Sequence, residues 1–257
     1  LGDVYKRQVV YYPWCHSFND LVPPAQYFKE HPDYFALVSG ERRIDRAQLC
    51  LSNPELRRVA RENALKWVAA HPEATIISVS QNDCEGWCEC AACRRIEDEE
   101  GGHSGPILRF VNEIADAVAR KHPGVLIDTL AYNWSEEVPR LARPRPNVRI
   151  RMAPIGACQG HPYEQCPNNA YIMRNLRAWS KATSQLYIWH YTTNFWQYLA
   201  PYPDFDEMLA DVPMYKKHGA VGMFLQGPLT PSGSGELIEL RNYLYAKLLW
   251  NPEANGR

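Results

Sequence analysis

ATIISVSQNDCEGWCECAAC, residues 74–93, opens as a strand and ends as a loop dense in reactive side chains. Thr75 to Ser80 is a β-branched run of strand length. Gln81, Asn82 and Asp83 end it, and Cys84-Glu85-Gly86 cannot continue a strand comfortably. Polar, ionisable groups therefore stand where a buried strand meets a loop. In parallel α/β folds that end of the sheet is where chemistry is done.

The same alternation repeats outward from this stretch. Ser52-Asn53-Pro54-Glu55 predicts a helix start, with a capping Asn, Pro at the first helical position and an acid in the first turn. Apolar spacing from Leu56 to Val68 carries that helix to His71-Pro72. A second helix runs from Pro106 to His122, with Leu108, Val111, Ile114 and Val118 on one face. Arg94 to Gly102 reads only as a charged segment ending in a double glycine. Strands are expected near Val9–Tyr12, Val125–Tyr132, Val148–Met152, Leu186–Tyr191 and Ala220–Gln226. Helices are expected near Ala170–Lys181, Phe205–His218 and Glu236–Trp250.

Strand, helix, strand with short connections implies a parallel sheet flanked by helices. About six strands are two short of a closed eight-stranded barrel. The expected fold class is therefore α/β, a TIM-like (β/α)8 barrel truncated at its N-terminus and occupying residues 9–257. An open doubly wound sheet is the alternative, and no GxGxxG or Walker-type loop supports it. Leu1 to Gln8 (LGDVYKRQ) resembles an octapeptide that recurs at broken ends of metagenomic translations. It is expected to be a non-native terminus, and the chain a fragment.

A formal net charge of −1 gives no electrostatic case for nucleic acid or an anionic membrane as partner. No apolar run approaches the length of a membrane span. Eight Trp and fifteen Tyr suit sugar stacking, although from composition alone a large core is the favoured explanation.

The strand ends contribute Asn82, Asp83, Tyr132, Asn133, His190, Tyr191 and Gln226. Asp83 and Glu85, two positions apart in a loop, could both reach one site. A carboxylate pair is the minimum for glycoside cleavage, one group donating a proton while the other stabilises charge at the anomeric carbon. Glu136 and Glu137, after the next strand, are the reserve candidates for the acid. The plainer readings are that Asp83 caps a turn and Glu85 is a solvated acid. His16, between Cys15 and Ser17, is either a hydrogen-bonded structural group or part of a sugar site. Trp189 is either core or the floor of a sugar subsite, and Trp196, Tyr198 and Tyr202 lie in a loop where core packing explains them less readily.

Cys84, Cys88, Cys90 and Cys93 could bind zinc through four thiolates, but two paired CxxC knuckles are absent. The preferred reading is disulfides or a structural thiol cluster with no metal, and no cofactor is expected. Cys158 and Cys166 flank a short Gly/Pro loop, where a disulfide needs only a plausible turn. Clustered cysteines lean toward export, while a cytosolic enzyme could use them to hold metal.

The phrases HSFNDLVPP, HPDYFAL, QLCLSNPE, SVSQND with CECAAC, YIWHYTTNF and LRNYLYAKLLWNPEA together resemble domain-of-unknown-function family 4838. The resemblance covers nearly everything from Val9 onward. It implies a TIM-like barrel from large exported bacterial proteins, some of them classed in glycoside hydrolase family 163, endo-β-N-acetylglucosaminidases acting on N-glycans. Ser78, Asn82, Asp83, Cys88, Cys90 and Cys93 match the family pattern, and Glu85 falls in its variable part. His190 stands where an acid is often found, and Gln226 where a carboxylate is expected. The implied activity is retaining cleavage of a β-linked N-acetylglucosamine-containing glycan or glycoprotein, assisted by the substrate's own acetamido group. Asp83 would polarise the acetamido N–H, and Glu85, Glu136 or Glu137 would protonate the leaving oxygen. His16, Asn82, Tyr132, Trp189, His190, Tyr191 and Gln226 would shape the sugar subsite. The alternatives are a barrel that binds glycan without cleaving it, or a uronic-acid-directed glycosidase with Arg149 or Arg151 pairing the substrate carboxylate.

Overall fold

The computed structural model describes residues 9–230 and 235–253, and the octapeptide 1–8 lies outside them. The chain divides into two compact units, Leu1–Ile150 and Arg151–Arg257.

The first unit starts with strand β1 (Tyr11–Tyr12) and a small antiparallel hairpin, β2 (Leu37–Val38) and β3 (Glu41–Arg42). Helix α1 (Pro54–Ala70) begins as its sequence requires: the Asn53 side chain accepts from the Glu55 and Leu56 amides at 2.9 and 3.0 Å, and Pro54 supplies no orphan N–H. It buries Leu56, Val59, Ala60, Ala64 and Val68, each apolar side chain of Val or Leu size contributing roughly 1.5–3 kcal/mol. Strand β4 (Ile76–Ser78) pairs in parallel with β1 and with β5 (Leu126–Tyr132). Between β4 and β5 lie helices α2 (Ala91–Glu100) and α3 (Ser104–Lys121). Strand β5 is buried from Ile127 to Ala131, as expected of a parallel strand covered on both faces.

Helix α2 is the element the sequence reading did not anticipate. Its buried positions are only Cys93 and Glu100, so the apolar periodicity is too thin to read. It is held by its ends and by charge. The Cys90 sulfur accepts from the Cys93 amide at 3.5 Å, and Gly101 closes the helix in the left-handed region. The Glu100 carboxylate accepts from the Leu141 and Ala142 amides at 2.8 and 2.9 Å and pairs with Arg109 at 2.6 Å.

Strand β6 (Val148–Ala153) runs across the boundary between the units. The second unit continues with helix α4 (Ala170–Ala182), strand β7 (Leu186–Tyr191), helix α5 (Phe205–Lys217), strand β8 (Ala220–Gln226) and helix α6 (Ile238–Trp250). Strands β7 and β8 are parallel, with a register shift between Leu186 and Tyr187.

The six-stranded sheet has the order β1-β4-β5-β6-β7-β8, which is the order in the chain. That decides between the two expected α/β folds. A doubly wound sheet reverses direction at a switch point, so its order is not sequential. Sequential order with right-handed crossovers sends every helix to the same face, the rule of the (β/α) barrel. The fold is α/β of TIM-barrel type, with six strands in this sheet among the described residues. Strand β8 ends the order and leaves Val221 51% exposed. Among the described residues, no helix is long and apolar enough to cross a membrane.

Candidate active site

Strand β4 ends in residues that are tied down on all sides. The Ser17 amide and the His16 amide bond to the Ser80 carbonyl and hydroxyl at 3.0 and 2.8 Å. The Ser17 hydroxyl donates to the Ser78 carbonyl at 2.8 Å. Gln48, 3% exposed, faces the Asn82 backbone with its side-chain amide, accepting from the N–H at 2.9 Å and donating to the carbonyl at 3.0 Å. It also donates to the Cys84 carbonyl at 2.7 Å. The Asn82 amide group is spent internally, donating to Asn19 at 3.0 Å and to the Ala47 carbonyl at 2.9 Å. Its place in the fold is that of a brace for the loop, not of a group open to a ligand.

Gly86 closes this loop at φ +83°, and a Cβ there would stand 2.3 Å from the Arg46 carbonyl oxygen. Only glycine fits.

Asp83 emerges from this frame with its side chain 65% exposed. The Tyr132 phenol, at the end of β5, donates to Asp83 Oδ1 at 3.2 Å. His16 Nε2 lies 3.9 Å from the same oxygen. His16 sits at φ +51°, and its Nδ1 faces the Gln81 carbonyl at 2.8 Å. A carbonyl only accepts, so Nδ1 carries the proton and Nε2 is turned toward Asp83. His16 and Tyr132 pack edge to face, their ring centroids 5.9 Å apart. Burial first, and then the Asp83 charge, push the Tyr132 phenol up to about 12, so it remains a donor at neutral pH.

Glu136 follows the single turn Asn133–Ser135 beyond β5 and is 8% exposed. Loss of water pushes its carboxyl up to about 7, against an N–H of Asn133 that favours the charged form. Its neighbour Glu137 is exposed, as is Glu85. Of the four candidate acids, burial singles out Glu136, and the Tyr132 contact singles out Asp83. Glu136 and Asp83 both act on Tyr132, since the charge of each raises the phenol. Gln81 fastens the two strand ends together, its Nε2 donating to the Ser135 hydroxyl at 2.7 Å.

The candidates of the second unit have a different character. His190 is 1% exposed, with Nε2 3.1 Å from Glu207 and Nδ1 3.4 Å from the Tyr215 hydroxyl. Burial lowers His190 to about 4 and raises Glu207 to about 8 and Asp211 to about 9, the Glu207 charge adding to the last. The Asp211 carboxyl accepts from the Tyr163 amide at 2.9 Å. His190 is thus a neutral interior residue with its own acid partner on α5, which sequence reasoning missed. Trp189, 9% exposed, packs edge to face on Phe224 at 5.0 Å with the Arg151 guanidinium 5.5 Å from its ring centre. Tyr191 is 7% exposed and stacks near Trp189. The half-buried Gln226 donates to the Gly227 carbonyl at 3.0 Å. Trp196 is 98% exposed, whereas Arg149 and Arg151 are buried.

The cysteine run departs from expectation: Cys84 stands apart from the others, its sulfur 3.5 Å from the Gln48 amide nitrogen, while Cys50 joins Cys88, Cys90 and Cys93. Cys158 and Cys166 come close, as expected of that loop, but are free thiols. Their sulfurs lie within 4.8 Å of each other and of a His161 ring nitrogen. Asn169 holds the Cys158 backbone through both its amide and carbonyl, at 2.7 and 2.9 Å, and this sets the spacing.

A family profile described as "Domain of unknown function (DUF4838)" matches residues 3–257. No curated protein matches the chain. Among solved structures, it is similar to a β-galactosidase from Bacillus circulans sp. alkalophilus, with 14% identity and a TM-score of 0.46 over 87% of this chain and 44% of that one. A GH36 α-galactosidase from Geobacillus stearothermophilus is 12% identical, with a TM-score of 0.46 over 86% of this chain and 29% of that one. Endo-glycoceramidase II from Rhodococcus sp. is 13% identical, with a TM-score of 0.41 over 75% of this chain and 46% of that one. The chain spans less than half the length of each of these three.

Proposed function

The chain belongs to the DUF4838 family, and from its two strand-end carboxyls we propose that it carries the catalytic face of a glycoside hydrolase. The observation that carries this reading is Glu136, a buried carboxyl raised to about 7 at a strand end whose neighbour presents the exposed Asp83. Glycoside cleavage asks for one carboxyl that holds a proton at neutral pH and one that stays charged.

In this proposal the substrate is a β-linked N-acetylglucosamine-containing glycan. Glu136 gives its proton to the leaving oxygen as the bond to the anomeric carbon breaks. The acetamido oxygen of the same sugar forms the new bond to that carbon, and the positive charge passes to the acetamido group. Asp83, oriented by the Tyr132 phenol, accepts the acetamido N–H and stabilises that charge. Glu136, now ionised, takes a proton from water, and the hydroxide reopens the ring with net retention. Glu85 and Glu137, both exposed, have no acid role in it. Asn82, spent on internal hydrogen bonds, braces the loop rather than touching sugar, and His190, buried against Glu207, has no part in it. The uronic-acid reading loses support because Arg149 and Arg151 are 8% and 0% exposed. Glycoprotein glycans lie outside cells, so export goes with this reading.

The test is hydrolysis of an N-glycan carrying a chitobiose core, followed by mass spectrometry, with the anomer first released read by NMR. Release of the β-anomer is expected. Intact glycan after prolonged incubation with folded full-length protein overturns the reading.

A further inference from the structure

Four cysteines from two separated segments meet in one small volume of the first unit. Cys50 precedes α1, and Cys88, Cys90 and Cys93 lie where the loop after β4 enters α2. Their four sulfurs all lie within 4.8 Å of one another, and those of Cys50 and Cys90 are 3.7 Å apart. Sulfurs around a tetrahedral zinc, each about 2.3 Å from the metal, stand about 3.8 Å from each other. A disulfide needs about 2.0 Å, and all four cysteines are free.

The surroundings suit thiolates better than thiols. Cys50, Cys88 and Cys93 are 3%, 4% and 2% exposed, in a cluster with Ala36 and Ala47 that keeps water out. Donors nevertheless point at the sulfurs. The Leu37 amide donates to Cys88 at 3.3 Å and the Cys93 amide to Cys90 at 3.5 Å. Arg42 Nη1 lies 3.9 Å from Cys88, and the Ser52 hydroxyl lies 3.5 Å from Cys90 while its oxygen accepts from the Cys93 thiol at 3.1 Å. Such amide, hydroxyl and guanidinium contacts orient and neutralise metal-bound sulfur.

We propose that Cys50, Cys88, Cys90 and Cys93 form a closed four-thiolate site for one structural zinc ion. Four soft thiolates in one compact grouping select zinc among the common divalent ions, and a fourth protein ligand leaves no open position for catalysis. A divalent cation lets all four ionise together. The ion clamps the far end of the loop bearing Asp83 to the segment that carries Gln48. The assignment stands independently of the glycosidase reading, because its ligands are not the acids of that site.

The test is elemental analysis of the full-length protein purified without chelator. About one zinc per chain is expected, with Cys50→Ser and Cys93→Ser each losing it and Cys84→Ser keeping it. Exchange of the wild-type metal for cobalt should give a thiolate charge-transfer band in the near ultraviolet, a readout that does not depend on the variants folding. Metal-free protein with four titratable thiols, or a mass-mapped disulfide among these cysteines, overturns the proposal. Stoichiometric iron in place of zinc overturns the choice of metal. Retention of zinc by well-folded Cys50→Ser overturns the ligand set.

Discussion

The Tyr132 phenol reaches from the end of β5 to donate to Asp83 Oδ1, 3.2 Å away beyond the end of β4. One hydrogen bond thus joins two neighbouring strand ends at the exposed carboxylate. Removing the charge of Asp83 while keeping its shape separates its chemistry from this tie. Asp83→Asn in the full-length protein should lower kcat on an N-acetylglucosaminyl glycan by about two to three orders of magnitude with little change in Tm. Tyr132→Phe should cost less, since the charge stays. Near wild-type turnover by Asp83→Asn would sink the role given to it.

Glu136 should set the alkaline limb of the rate profile. A general acid works only while protonated, so kcat/KM should fall as pH rises through about 7. Glu136→Gln should lose both the limb and most of the activity. A profile that stays flat to pH 9 in the wild type would assign the proton to another group.

The same burial has a signed effect on stability. The folded carboxyl holds its proton up to about 7, the unfolded one only to about 4.5. Between these values the folded state binds more protons, so stability falls as pH rises through that window. The full shift corresponds to on the order of 3 kcal/mol. Glu136→Gln should therefore unfold later than wild type in urea at pH 8, with the gain absent at pH 4. Equal gains at the two pH values would contradict the linkage.

Glu207 carries the corresponding effect in the second unit. Its folded carboxyl is raised to about 8, so its contribution is fully present at low pH and is lost as pH climbs through that value. His190 runs the other way, because its lowered value makes acid the destabilising direction below about 4 to 6.5. Glu207→Gln keeps a donor for His190 and removes the ionisation. Its Tm should exceed that of wild type at pH 9 and match it near pH 5. Differential scanning calorimetry at the two pH values checks this.

Gly86→Ala should destabilise by about 1–3 kcal/mol, since both the left-handed backbone and the Arg46 carbonyl oppose a Cβ. Activity should drop with it because the loop bearing Asp83 must shift. Chemical denaturation alongside kcat measures the two effects, and an unchanged midpoint would show that the loop yields freely.

What could be read from sequence was whatever depends on local pattern. Strands β7 and β8 are short, mostly apolar runs bounded by turn residues, and α1 announces itself through Asn53, Pro54 and its apolar spacing. What could not be read depends on distant partners. Cys50 has no local signal linking it to Cys88, and His190 gives no hint of Glu207 on a later helix. Glu136 and Glu137 are identical neighbours, told apart only when the turn at Asn133–Ser135 buries one and exposes the other. Helix α2 was lost because charge and end caps, with little apolar surface, hold it in place.

The paired contacts of Gln48 with the Asn82 backbone put a side-chain amide beside the chain beyond the end of β4, where strand pairing has stopped. A sheet ladder imposes a two-residue rhythm, and a one-residue change in a paired strand turns every later side chain to the opposite face. A segment gripped by one amide is free of that rhythm. The exposed Asp83 and Glu85 can be exchanged without disturbing the strands beneath, while the grip on Cys84 and the fit of Gly86 hold the loop's length. The same scaffold can thereby diversify its chemistry by drift in a single loop.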